Sequence, residues 1–176
     1  MKRISKPDEG EYAPYAIMYI KLLPDDGLVL KQLADNLPDT LELVRSLPPD
    51  KLGVPCAEGE WTVKEILGHM IDVERVYSYR ALRFARNDAT ALPGFEQDDY
   101  ALNSGANDRP IGDLLHEFSA VRNATIPLFA SLEESVFARA GVASGHLMSV
   151  RATAYIIAGH ELHHRISIRE NYMSGE

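Results

Sequence analysis

Apolar positions recur every three or four residues along four stretches of this chain, the period of an amphipathic helix. In the first, from about Leu28 to Leu47, the steps are Leu30, Leu33, Leu37, Leu41 and Val44. Pro38 lies inside it and is expected to kink it, because the ring removes a backbone donor and crowds the preceding turn. Pro48 and Pro49 then stop it. The second opens at Thr62-Val63-Lys64-Glu65, a capping box in which Thr62 and Glu65 satisfy each other's free backbone donors. Trp61 and Ile66 are placed there as a hydrophobic staple, and the helix runs to about Ala85 or Arg86. The third starts at Pro110, a residue suited to the first helical position. It turns Leu114, Leu115, Phe118, Val121, Thr125, Leu128 and Leu132 to one side, with a further kink at Pro127. The fourth, Val150 to Ile168, is capped by Ser149 and is expected to fray after Asn171.

Four such helices around one core make an all-α four-helix bundle. The connections, 50–60, 87–109 and 133–148, are long, so helices consecutive in sequence need not be antiparallel neighbours in space. Residues 1–26 are rich in tyrosine and broken by Pro7, Pro14 and Pro24. They read as an arm packed on a single domain that spans 27–176, with Tyr12, Tyr15 and Tyr19 covering its core. The 87–109 connection has the length of a functional lid or a dimer contact, and Phe95, Asp98, Asp99 and Tyr100 stand out within it, although the sequence does not place them. The second long loop carries Gly141 and Gly145 ahead of His146, a rim residue or a plain loop residue. His116 falls off the apolar stripe of its helix and is expected to be exposed.

Charge narrows the range of partners. Among 176 residues, 18 are Lys or Arg and 26 are Asp or Glu, a formal charge of −8. Gripping nucleic acid requires a concentrated cationic surface that this chain does not carry. The sole cysteine, Cys56, permits no internal disulfide, which fits a reducing cytoplasm. The basic start of the chain leads into acidic residues rather than a signal-peptide core, and no stretch reaches the length of a membrane span.

The chemistry lies on the apolar stripes. His160 and His164 are four apart, one turn above the other on the face that carries Val150, Thr153, Ile157 and Ile168. His69 shares a face with Ile66, Val73 and Val76. Burying imidazoles where a bundle places Leu or Ile is costly unless something takes their nitrogens. One answer is a metal ion; the other is ordinary packed histidines hydrogen-bonded to their neighbours. His160-Glu161-x-x-His164 also spells the zinc-protease helix, but the later positions of the extended motif hold Ser167 and Glu170. A third ligand is therefore expected upstream, and His69 supplies it. Three imidazoles leave an open coordination position, as in catalytic rather than structural sites, and suit zinc or nickel. Asp72 either orients His69 or pairs with Arg75, and Arg75, Arg80, Arg83 and Arg86 are read as facing solvent or a partner subunit.

The run Trp61-Thr62-Val63-Lys64-Glu65-Ile66-Leu67-Gly68-His69 with Asp72 and Arg75, followed later by Gly159-His160-Glu161-x-His163-His164, resembles the DinB-like superfamily. These are bacterial four-helix-bundle proteins regarded as metal-dependent enzymes. The resemblance covers about Leu28 to Arg169 and implies a metal triad of His69, His160 and His164. It also implies homodimers and, from characterised relatives, transfer or isomerisation of a small molecule with a low-molecular-weight thiol. An ion with an open position acidifies a bound water or deprotonates a thiol. Glu161, beside the first ligand, is the candidate general base, although its place turns it off the ligand face. His163 is off that face too and is assigned to an interface or to ligand support. Three classes follow: a thiol-dependent transferase or isomerase, a metal-dependent small-molecule hydrolase, and a non-enzymatic dimeric binding module.

Overall fold

The computed structural model describes residues 2–173. Met1, the first residue of the expected arm, and residues 174–176 at the end of the domain lie outside the described residues. Chain order is α1 (Ile17–Ile20), α2 (Val29–Ser46), α3 (Val63–Ala85), α4 (Gln97–Asn103), α5 (Ile111–Ala130), a hairpin of β1 (Ala140–Ala143) and β2 (His146–Ser149), and α6 (Val150–Ile168). The capping box forms as its sequence requires: Thr62 N donates to Glu65 Oε2 (2.8 Å) and Glu65 N to Thr62 Oγ1 (3.1 Å). Ser149 caps α6 by accepting from Ala152 N. Pro38 and Pro127 are accommodated inside continuous helices.

The four long helices form the expected bundle. α3 packs along both α5 and α6, and α2 packs along the other sides of the same two helices. Consequently α2 and α3, consecutive in the chain, stand on one diagonal of the bundle and α5 and α6 on the other. Among the described residues no helix is long and apolar enough to cross a membrane.

Several local expectations are corrected. Pro110 caps α5 rather than beginning it, so Ile111 is its first residue. The 87–109 connection contains α4, and 133–148 contains a hairpin whose turn, Ser144-Gly145, has φ of 52° and 77°. That is the geometry of a two-residue hairpin turn with positive φ at both positions, where glycine is favoured. After α6 the chain continues as a π-helical turn, Arg169–Met173, and the expected fraying after Asn171 falls mostly on 174–176, outside the described residues.

The packing is divided along the bundle axis. One apolar cluster gathers the arm, the C-terminal half of α3, the hairpin and the N-terminal half of α6. The other gathers the C-terminal half of α2 with the N-terminal halves of α3 and α5. Between them the deepest positions are polar: Asn36 and Thr40 on α2, His69 and Glu74 on α3, Arg122 on α5, and His160 and Glu161 on α6. Leu37, Leu41, Val121 and Leu128, expected to be core, are only half-buried because these polar side chains occupy the inner positions.

The arm is fastened to α6. Glu11 Oε2 accepts from Ser149 Oγ (2.6 Å) and Arg151 Nε (2.7 Å), and Tyr155 Oη donates to Ile4 O (2.8 Å). At the crossing of α1 over α6, a Cβ on Gly159 would lie 2.2 Å from the carbonyl oxygen of Tyr19. Backbone cannot yield as a side chain tip can, so Gly159→Ala should displace the arm and cost about 1–3 kcal/mol. Chemical denaturation reads the loss, and limited proteolysis should show faster cutting between residues 8 and 28. Unchanged stability together with unchanged cutting would refute this account of the crossing.

Candidate metal centre

Three histidines meet in the polar layer. α3 and α6 are packed against each other over much of their length, which brings His69 opposite His160 and His164. His160 Nε2 lies 2.9 Å from His69 Nε2 and 3.1 Å from His164 Nε2. One ligand atom from each of the three falls within 4.8 Å of the others. Burial disfavours the charged imidazolium and lowers all three pKa values, His69 to about 4, His164 to about 3 and His160 well below its ordinary range. At neutral pH the cluster is therefore three uncharged imidazoles, each with one ring nitrogen lone pair. A hydrogen bond can join two of them, but the third nitrogen then faces either an N–H or a lone pair already in use.

Aromatic rings enclose the cluster. Trp61, expected only as a staple for α3, stacks beside His69 with ring centres 4.7 Å apart. Tyr19 stands edge-on to His160 (5.2 Å) and to His163 (5.5 Å). Tyr19 packs against the core as expected, and it also packs on the histidines and lines a cleft. Tyr12 is buried as expected, whereas Tyr15 is half-exposed and its hydroxyl meets that of Tyr77 at 3.0 Å.

Two clefts open on either side. One, of about 310 Å³, reaches His163 and His164 past Trp61 and Tyr172. The other, of about 360 Å³, reaches His160 past Tyr19, Tyr77 and Phe95. Asp98 on α4 lines both, so the 87–109 segment is a wall of the site. His116 and His146 are exposed and take no part.

The supporting charges differ from expectation. Glu161 Oε1 accepts from Thr40 Oγ1 (2.6 Å), and Oε2 lies 2.8 Å from Arg122 Nη1. Arg122 also grips Glu74 with two hydrogen bonds of 2.8 Å and donates to Leu33 O. Burial raises the pKa of Glu161, with the Arg122 charge pulling it back. For Arg122 burial opposes the charge, but Glu161 and Glu74 outweigh it and keep the guanidinium protonated. Asp72 lies 3.9 Å from Arg75, which pairs more closely with Glu117 at 2.6 Å. Arg80 corrects the reading of an exposed arginine cluster: it is 2% exposed and lines the second cleft.

Fold and site together define a four-helix bundle with a buried three-histidine centre reached from two clefts. The chain belongs to the DinB superfamily, whose pattern matches residues 32–168. A protein of Geobacillus thermodenitrificans, named provisionally as a metal-dependent hydrolase, is 26% identical over 136 residues, 76% of either chain. Another of the same provisional name, from Oceanobacillus iheyensis, is 25% identical over 143 residues, 80% of this chain and 81% of that one. Among solved structures, YfiT from Bacillus subtilis, a four-helix bundle of unusual topology assigned provisionally to the metal-dependent hydrolases, superposes with TM-score 0.70. It is 17% identical, with 94% of this chain and 90% of that one covered. The mycothiol-dependent maleylpyruvate isomerase superposes with TM-score 0.67 at 10% identity, covering 84% of this chain and 61% of that one. At these identities the two structures speak to the fold alone.

Proposed function

We propose that this protein is a metal-dependent hydrolase of a small molecule, with His69, His160 and His164 holding one divalent ion, zinc or nickel. The observation that carries this reading is the convergence of three uncharged imidazole nitrogens at 2.9 and 3.1 Å. Three nitrogens bound to one tetrahedral zinc at about 2.0–2.1 Å stand about 3.3 Å apart, close to the spacing found. When bound, such an ion supplies a Lewis acid that polarises a substrate oxygen and acidifies water. The names of the two bacterial relatives favour hydrolysis over transfer.

The remaining residues bind, enclose and position. Trp61 and Tyr19 shield the imidazoles and leave access through the two clefts. Asp98 lines both clefts and is available to move a proton there. We assign Glu161 a positioning role in place of general base, because its carboxylate is committed to Thr40 and Arg122 and anchors α6 beside His160. Thiol-dependent isomerisation or transfer is the second reading, supported by the fold shared with the mycothiol-dependent enzyme.

A panel of aryl esters and anilides, assayed with zinc- or nickel-loaded protein, separates the two. Hydrolysis should require metal and proceed without added thiol. Turnover that appears only with a low-molecular-weight thiol would favour the second reading. Cobalt-substituted protein gives an independent readout, since a thiol entering the centre produces a sulfur-to-cobalt absorption band and an excluded thiol does not.

A further inference from the structure

Three arginines are buried among the described residues, and two of them face a carboxylate: Arg122 faces Glu74 and Glu161, and Arg165 faces Asp39 at 2.8 Å. Arg80, 2% exposed, forms no ion pair among the described residues. Nη2 donates to Pro93 O (3.1 Å) and Ser144 Oγ (2.9 Å), which pins the guanidinium to the 87–109 segment and to the hairpin turn. Those two bonds use two of its five N–H donors. Nε and Nη1 take no acceptor among the described residues, and the side chain lines the same cleft as His160. A buried charge without a counter-charge is costly, and a guanidinium held in place by neutral oxygens is preorganised for a planar anion.

The surroundings define the anion further. The guanidinium carbon sits 5.1 Å from the ring centre of Tyr77 and 5.9 Å from that of Phe95. Tyr15 and Tyr19 continue the aromatic wall towards His160. Val73 lines the cleft beside His160, and the seven residues from Val73 to Arg80 rise about 10 Å along α3. Glu96 and Asp98 belong to the rim, where they are exposed and water screens them.

We infer that Arg80 is the anchor for a substrate carboxylate, so that the molecule acted on is a small carboxylic acid with an aromatic or apolar body. Its acid group sits at Arg80 and its reacting group reaches the histidine centre along the same cleft, which His160 also lines. This inference deepens the hydrolase reading and rests on it for the reacting end, while the anchor itself stands on the cleft.

The test is binding, read by calorimetry on zinc-loaded protein with metal content measured on the same samples. The probes are the ω-phenylalkanoates from phenylacetate to 6-phenylhexanoate, each beside its primary amide. At least one acid should bind about tenfold or more tightly than its amide, the worth of a charge-assisted contact. The preference should vanish in Arg80→Met and survive in part in Arg80→Lys. An acid preference unchanged in a folded Arg80→Met, or no acid preference across the series in wild type, overturns the anchor. The wild-type series decides alone if the methionine variant fails to fold. Lost preference with metal retained removes the anchor only; preference intact in protein that binds no metal removes the metal reading only.

Discussion

Arg122→Met should destabilise the fold by about 3–5 kcal/mol, the cost of breaking a buried ion pair by removing one partner. The side chain is fully buried and Glu74 and Glu161 are each 2% exposed, so water cannot replace what the guanidinium supplies. Methionine fills much of the volume and keeps the helix propensity, which isolates the electrostatic loss from a cavity. The effect should shrink when Glu74→Gln and Glu161→Gln are added, because neutral amides need no counter-charge. Urea denaturation of the three variants checks both statements. A single Arg122→Met within about 1 kcal/mol of wild type would show that the carboxylates are satisfied another way. The same variant bears on the site, since the network ties α3, α5 and α6 together at the level of the histidines and reaches α2 through Thr40 and Leu33.

That network also marks the limit of what the sequence discloses. Helical periodicity locates the four long helices to within a residue or two, and the Thr62–Glu65 capping box places the start of α3. The histidine pair on α6 and the isolated His69 on α3 are legible because imidazoles interrupt apolar stripes. Arg122 and Glu74 interrupt stripes as well. The buried face of α5 runs Phe118, Arg122, Thr125, Phe129, and reading it through Val121 and Leu128 passes over the charge. A charged residue at a core position was the available signal, but its partners lie 48 and 39 residues away on other helices, where no local pattern connects them. Arg80 is hidden for a similar reason. It is held by Pro93 and Ser144, which belong to connections whose path depends on a helix and a hairpin too short to show a strong period. Tyr19 reaches the histidines because Gly159 lets backbone approach backbone, and a lone glycine in a helix announces close packing without naming what packs there.

The second large effect is expected at the histidines. His164→Ala removes one of three nitrogens, and a ligand lost from the coordination shell should cost more than the about 10–100-fold in affinity typical of losing an outer partner. The metal-free variant should still fold, because it gives up an uncharged, half-buried imidazole rather than one half of an ion pair. Zinc should therefore raise the melting temperature of wild type, through binding to the native state alone, and leave that of His164→Ala unmoved. His69→Ala should behave alike, although its imidazole comes from another helix, since all three nitrogens serve one point in space.

The central claim is that point, and elemental analysis of untagged protein tests it most directly. Wild type, His69→Ala and His164→Ala are incubated with zinc or nickel, freed of loose metal and measured side by side. The account predicts about one divalent ion per wild-type chain and loss of that ion in both variants. Wild-type protein that stays empty with either metal would contradict it, leaving three packed histidines in the middle of a helix bundle.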